Sequence, residues 1–265
     1  MVKFTDVELL TCYFFALLEE EKTQVSKIYG YITKYWKSWF PDLPSYQAFN
    51  NRLNRLSDVL PLLIEVLLCY NAGLHINDGN DYSIDSFPII LCKGNRYGKV
   101  ARNISTKTYS KTKGIYYYGV KMHCLVQNRP NSLPIPKWVG VTAATAHDIT
   151  VFKELLPPMT AVNVFGDKAY LSKEVAGLCE ERNIRLLCPP KRKKGGTEWE
   201  RRYNEAFISF WGKAVSRTRQ AVEVFFSWLI EKVDIQNASK VRSEKGLMVH
   251  AFGKFASALF ILMGF

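Results

Sequence analysis

Most acidic residues of this chain fall in amphipathic helical stretches, where solvation accounts for them. Three do not. Asp85 stands inside an alternating, β-branched run, Tyr82-Ser-Ile-Asp-Ser-Phe-Pro88. Asp167 follows the short apolar run 162–165, in Gly166-Asp-Lys-Ala-Tyr170. Glu223 lies in a long helical stretch among Val222, Val224, Phe225 and Phe226, and this setting points it toward the core side. An Asp in mid-strand strains a sheet unless its carboxylate has a partner. The end of a strand in a parallel sheet is where ligands bind, which suits Asp167. Three carboxylates gathered in one place repel one another. A hard divalent cation relieves this, and oxygen ligands favour Mg²⁺ or Mn²⁺. Two such ions, about 3.5–4 Å apart, activate a nucleophile and stabilise the leaving oxygen of a phosphodiester. Asp85, Asp167 and Glu223 are therefore the candidate metal ligands and catalytic groups. Such a triplet recurs by chance in any chain, and only the local contexts raise it.

The charge distribution fits a phosphate-bearing partner. The formal net charge is +12. Residues 1–72 hold 7 basic and 8 acidic residues, whereas residues 73–265 hold 29 and 16. Between Asp85 and Asp148 lie 62 residues without an acid and with ten Lys or Arg, among them Lys107, Lys111 and Lys113. A second cluster is Lys191-Arg192-Lys193-Lys194. Such fields attract polyanions and release counterions on binding them, although a solvated surface is the plain alternative. Lys168, beside the second Asp, suits a phosphate contact. Arg219 precedes Glu223 by four residues, the spacing of a helical ion pair that orients the carboxylate. His147 can position a water or a phosphate, or cap the helix that begins near Asp148.

The elements that must position these groups follow from periodicity. Helices are expected over 6–20, 23–40, 46–56 and 59–70. The run Pro41-Asp42-Leu43-Pro44 breaks the second, and Ser45 caps the third. The third helix shows Asn50, Asn51, Arg52, Asn54 and Arg55 on its polar face. Asn and Arg read base edges and hold phosphates, so Arg52 and Arg55 are candidate DNA contacts in a helix-turn-helix-like module; a purely structural bundle is the alternative. Strands are expected over 82–91, 116–127 and 137–143, then a helix at 148–156, a strand at 161–165, a helix at 172–182 and a strand at 184–188. Helices should close the chain over 204–233 and 246–265. Segments 93–114 and 189–202 read as basic loops. Three strands followed by helix–strand alternation give an α/β fold with a mixed sheet and flanking helices. That order is RNase H-like. The expected division is a small N-terminal helical domain (1–72) before the sheet domain (73–265).

The blocks Asp-Ser-Phe-Pro, Gly-Asp-Lys-Ala-Tyr and Arg-x-x-x-Glu-x-x-Phe-Ser resemble the three catalytic blocks of DDE transposases of bacterial insertion sequences. The stretch from Trp39 to Leu56, Tyr118-Gly-Val-Lys-Met-His123 and Ala146-His-Asp148 are similar to the branch called insertion-sequence family nine-eighty-two. The resemblance implies an RNase H-like catalytic domain with Asp85, Asp167 and Glu223 binding two Mg²⁺ or Mn²⁺ ions. It also implies double-stranded DNA as partner, both terminal inverted repeats and target, handled by a homodimer. Related families carry Tyr-x-x-Arg-x-x-x-Glu-x-x-x-x-x-x-Lys. Here Arg219 and Glu223 fit, Ser216 replaces the Tyr and Ile230 the Lys, with Lys232 nearby. The expected activity is metal-dependent cutting at element ends and joining of the 3′-hydroxyl to target DNA. The rival readings are an RNase H-like nuclease of repair or recombination and a catalytically silent DNA-binding remnant.

Other classes fit poorly. The apolar stretches 59–69 and 247–265 are interrupted by Glu65 and by His250 and Lys254, so no clean run of about 20 apolar residues exists for a membrane span. Residues 1–6 do not read as a secretory signal. Six scattered cysteines and four isolated histidines disfavour zinc and suit a reducing, cytoplasmic setting near the bacterial nucleoid.

Overall fold

The computed structural model describes residues 4–74, 79–95, 98–110, 113–155, 159–190 and 195–264. Along the chain run α1 (Asp6–Leu18), α2 (Val25–Tyr31), α3 (Tyr46–Arg55), α4 (Val59–Leu74), β1 (Asp81–Lys93), β2 (Thr106–Ser110), β3 (Ile115–Gln127) and β4 (Ile135–Ala143). Then follow α5 (Asp148–Leu155), β5 (Asn163–Phe165), α6 (Lys173–Glu181), β6 (Arg185–Leu187), α7 (Glu198–Phe207), α8 (Lys213–Val233), α9 (Glu244–Met248) and α10 (Lys254–Leu262). They form two compact units, neither continuous in sequence. The first comprises Met1–Asn71, Pro88–Val120 and Trp228–Phe265, the second Ala72–Phe87 and Lys121–Ser227.

In the first unit, Thr5 and Glu8 form a reciprocal cap that starts α1. Ser45 Oγ accepts the Ala48 N–H and starts α3 after the Pro41–Pro44 break. Leu9, Leu17, Ile28, Ile32, Phe49 and Leu53 are buried, so α1–α3 share one apolar centre. The end of the chain joins it: the Phe14 and Phe260 rings meet edge to face at 5.3 Å. The outer half of β1 is held by the later chain, where the Ile90 N–H donates to Gln236 O at 2.8 Å and the Ala238 N–H donates to Ile90 O at 2.9 Å.

Three expectations are corrected. Segment 93–114 is not a loop throughout, because β2 pairs antiparallel with β3, from Thr106 opposite Gly119 to Ser110 opposite Ile115. Its basic composition hides an alternating Thr-Lys-Thr-Tyr-Ser strand, which the Tyr109–Tyr116 ring contact at 5.0 Å reinforces. Segment 189–202 likewise ends in structure. Thr197 caps α7 in a box with Glu200, so the helix begins before the expected 204. The long helix expected over 204–233 is in turn broken by a π-helical turn, Ile208–Gly212.

Arg52 does not present a free guanidinium. Its Nη1 donates to Phe4 O at 2.6 Å, its Nε donates to Asp6 Oδ1 at 3.1 Å, and its Nη2 pairs with the same carboxylate oxygen. This arginine braces α3 against the start of α1. Arg52→Ala should therefore lower stability by about 1 kcal/mol, an ion-pair and hydrogen-bond loss discounted for the exposed Asp6. A urea melt checks it, and an unchanged midpoint would deny the brace.

In the second unit the strand order is β4-β3-β1-β5-β6. β1 runs parallel to β5, with Asp81 opposite Asn163, Tyr82 opposite Val164 and Ser83 opposite Phe165. β5 in turn runs parallel to β6. The crossovers through α5 and α6 bury Ile84, Leu125, Phe152, Val164, Val175 and Cys179 in one cluster. The fold is the expected mixed α/β, RNase H-like one, with a helical region before it.

Two helical stretches, Tyr46–Gly73 and Glu244–Leu262, are long and apolar enough to cross a membrane by length and composition. The first is interrupted by a tight turn at Leu56–Asp58, and the second is more than half buried within the protein, as core helices are. All six cysteines are free.

Candidate active site

Asp85 and Asp167 stand where the sheet places them. The parallel pairing of β1 with β5 ends at Ser83 opposite Phe165, and two residues further on come Asp85, still within β1, and Asp167, just past the end of β5. In β1 both faces are covered around Asp85: Ser83, Ile84 and Phe87 are buried, and Asp85 itself is half-buried. Asp167 is exposed and caps the short turn Lys168–Tyr170, its Oδ1 accepting the Ala169 N–H at 2.7 Å. Gly166 before it permits the turn, since a Cβ there would lie 3.0 Å from the Tyr170 ring.

Arg219 of α8 gathers the other members. Its Nη1 donates to Asp85 Oδ2 at 2.5 Å and its Nη2 to Glu223 Oε1 at 2.6 Å. One guanidinium thus bridges the mid-strand Asp and the helical Glu, beyond the i,i+4 pair that spacing alone suggests. Glu223 does not point into the core. Its side chain is 50% exposed, because the buried face of α8 runs through Val215, Val222, Phe225 and Phe226 and leaves Glu223 at its edge.

The electrostatics of Asp85 are those of a crowded carboxylate. Burial pushes its pKa up to about 6. Arg219 and the Ser86 N–H pull it down, while the Asp148 and Asp167 carboxylates push it further up. Asp148 is a neighbour that sequence reasoning passed over in favour of His147. Its Oδ1 accepts from Ser86 Oγ at 2.9 Å and from Lys121 Nζ at 3.1 Å, with His123 Nδ1 at 3.7 Å. Buried His123 lies 2.8 Å from Thr142 Oγ1 through Nε2. Burial, aided by Lys121, lowers its pKa to about 4 against the pull of Asp148, so the imidazole is neutral at pH 7. The usable signal was the period of two: Lys121 and His123 share one face of β3. His147 itself is exposed and contributes its backbone carbonyl, which accepts the Thr150 and Val151 N–H groups at the start of α5.

The donor set suits a hard cation. Asp85, Asp167 and Glu223 offer only carboxylate oxygens, and Asp85 is a half-buried carboxylate whose ionised form a divalent ion would stabilise. Among the described residues no three acids or histidines already form a closed cation cage. Arg219 holds oxygens of two of the three, so it and a cation compete for the same atoms.

Beside the carboxylates opens a cleft of about 780 Å³. Asp167, Lys168 and Arg219 line it with Lys213, Ser216 and Arg217. Lys168, Lys213 and Arg217 are exposed. Arg55, Lys107 and Lys113 are exposed too, but belong to the first unit; Lys107 Nζ lies 5.7 Å from the centre of the Tyr116 ring. Lys111, Lys191, Arg192, Lys193 and Lys194 lie outside the described residues.

No curated protein and no solved structure gives a significant match. A family model described as a transposase DDE domain matches residues 78–260, from just before β1 into α10 and more than half of the chain. The match takes in all three carboxylates and Arg219. On this match, and with a fold that sets two carboxylates on neighbouring parallel strands, Asp85 within β1 and Asp167 just past β5, the chain belongs to the DDE transposase domain family.

Proposed function

We propose that the protein is an active transposase of a bacterial insertion sequence. It cuts at the element ends and joins the freed 3′-hydroxyl to target DNA. The observation that carries this reading is that Arg219 bridges Asp85 and Glu223 and lines, together with Asp167, Lys168, Lys213 and Arg217, one open cleft. Asp85, Asp167 and Glu223 hold Mg²⁺ or Mn²⁺, which when bound supplies positive charge at the scissile phosphate. Water attacks the phosphodiester at the element end, and the 3′-oxygen leaves. That hydroxyl then attacks a target phosphodiester in line, one P–O bond forming as another breaks. Lys168, Lys213 and Arg217 hold the flanking phosphates, and Arg219 positions Asp85 and Glu223. No covalent protein–DNA intermediate is required.

The N-terminal blocks support the nine-eighty-two branch. Residues 1–72 serve DNA binding and 73–265 catalysis, with two copies engaging the two ends at the bacterial nucleoid. Arg55, Lys107, Lys113 and the Lys191–Lys194 cluster add backbone contacts.

The test is incubation with Mg²⁺ and the DNA flanking the gene, with products mapped to the nucleotide. Cuts at two repeated ends with joining to a target plasmid are expected. Cuts without joining would reduce the protein to a nuclease. The cleft gives a separate expectation: Lys213→Gln with Arg217→Gln should weaken binding to all duplexes alike. The slope of log affinity against log salt should shrink by about 1.8, or 0.9 for each lost phosphate contact. A salt titration by fluorescence anisotropy reads it, and an unchanged slope would remove both side chains from the DNA path.

A further inference from the structure

A fourth carboxylate stands beside the three assigned to the reaction and has no part in it so far. Asp148 begins α5, and its charge is among those that push up the Asp85 pKa. A fourth acid near three others is a burden, since each added negative charge disfavours ionisation of the rest. Three elements of the second unit nevertheless converge on it: Ser86 comes from β1, Lys121 and His123 from β3, and Asp148 itself from the start of α5. The contacts meet at one oxygen. Asp148 Oδ1 accepts from Ser86 Oγ at 2.9 Å and from Lys121 Nζ at 3.1 Å, and His123 Nδ1 lies 3.7 Å away. Lys121 Nζ also donates to Ala146 O at 2.9 Å, which ties β3 to the approach to α5. The side chains of Lys121 and Asp148 are only 22% and 23% exposed, so this ion pair is screened less than a surface pair.

The contacts lead on to Asp85. The Ser86 N–H donates to Asp85 Oδ1 at 2.8 Å, while Arg219 holds Oδ2. A hydroxyl has one proton to give. Ser86 gives its proton to Asp148, so it cannot donate to Asp85 and occupy a lone pair that a cation needs. Arg219 and a cation compete for Oδ2, whereas the setting of Oδ1 depends on Ser86 and is kept whichever of them wins. We propose that Asp148, neutralised by Lys121, is a positioning residue: through Ser86 it holds Asp85 in the orientation that binds the cation, and it is not itself a fourth metal ligand. The proposal rests on the reading of Asp85 as a metal ligand of a DNA-cutting enzyme. A cluster that merely pinned α5 to the sheet would affect stability alone.

The test uses the full chain, with Mg²⁺ and the flanking duplex for cleavage and with Mg²⁺ alone for the melting temperature. Ser86→Ala should lower kcat roughly 10- to 100-fold, as loss of a group that orients a metal ligand does, with KM for the duplex within about twofold of wild type. It should also raise several-fold the Mg²⁺ concentration that gives half of the rise in melting temperature. Ser86→Thr keeps the hydroxyl and should recover most of both. Asp148→Ala should lose as much as Ser86→Ala, and the double variant no more than either, because the two act through one contact. Should Asp148→Ala fail to fold, the Ser86 pair of variants decides. Wild-type kcat and Mg²⁺ midpoint in Ser86→Ala would overturn the proposal, as would additive losses or no recovery in Ser86→Thr. A lower melting temperature with kcat and Mg²⁺ midpoint unchanged would reduce the cluster to a structural pin and overturn it as well. A wild type that responds to Mg²⁺ without cutting the duplex would defeat the transposase reading, and the Mg²⁺ midpoint of Ser86→Ala would then decide the proposal by itself. A wild type whose melting ignores Mg²⁺ would overturn both.

Discussion

Asp167→Asn abolishes DNA cleavage while DNA binding stays intact or becomes stronger; this is the expected result, and Asp85→Asn and Glu223→Gln should behave alike. Each change removes one negative charge and almost no bulk. Glu223→Gln keeps an oxygen for Arg219, and Asp167→Asn keeps one for the Ala169 N–H, so the turn and the bridge survive. What is lost is charge for holding a cation against a phosphate. Loss of one preorganised electrostatic group costs roughly 100- to 1000-fold in rate, and loss of the cation itself costs more. Binding gains because a carboxylate near the phosphate path repels it. Cleavage by Asp167→Asn at the wild-type rate would remove this residue from the reaction.

The second large effect is on stability and has the opposite sign. In EDTA at pH 8, Asp85→Asn should be more stable than the wild type. Burial and the neighbouring carboxylates raise the Asp85 pKa from 3.8 to about 6 despite Arg219. For an acid shifted upward, the stabilisation is fully present below about pH 4 and is lost as pH rises through about 6. Two units correspond to about 3 kcal/mol, an upper figure for the gain. The amide does not ionise, so the difference should vanish near pH 4. Added Mg²⁺ should raise the melting temperature of the wild type more than that of the variant, since a ligand of the folded state stabilises it. Equal melting temperatures at pH 8 would show that Arg219 fully compensates the buried charge. The carboxylate that the proposed reaction needs is then one the fold tolerates at a cost.

The long elements were legible because their signals are local. Alternation marked β1, β3 and β4, and the breaks at Pro41–Pro44 and at Ser45 placed the start of α3. What escaped depended on contacts across the chain or on short capping signals beneath a stronger compositional one. The basic residues around β2 concealed a five-residue strand that exists because β3 pairs with it. The Thr197–Glu200 box was overlooked inside a basic run. Arg52 looked like a base reader until Asp6 and Phe4, more than 40 residues earlier, were found to hold it. Within the site, the placement of Asp85 inside a strand and of Asp167 at the end of another followed from pattern. The double use of Arg219 and the closeness of Asp148 needed the parallel register and the β3 face, which no linear spacing encodes.

The first unit draws on both ends of the chain, and this has a consequence during protein synthesis. Tyr13 packs where Gly253 leaves room, a Cβ there lying 2.7 Å from the Tyr13 hydroxyl, and Phe14 packs on Phe260. The apolar faces of α1–α3 are therefore fully covered only after residues 228–265 have been made. A product terminated before Trp228 lacks α9 and α10 together. In such a fragment Tyr13 and Phe14 lack the Gly253 and Phe260 surfaces that cover them.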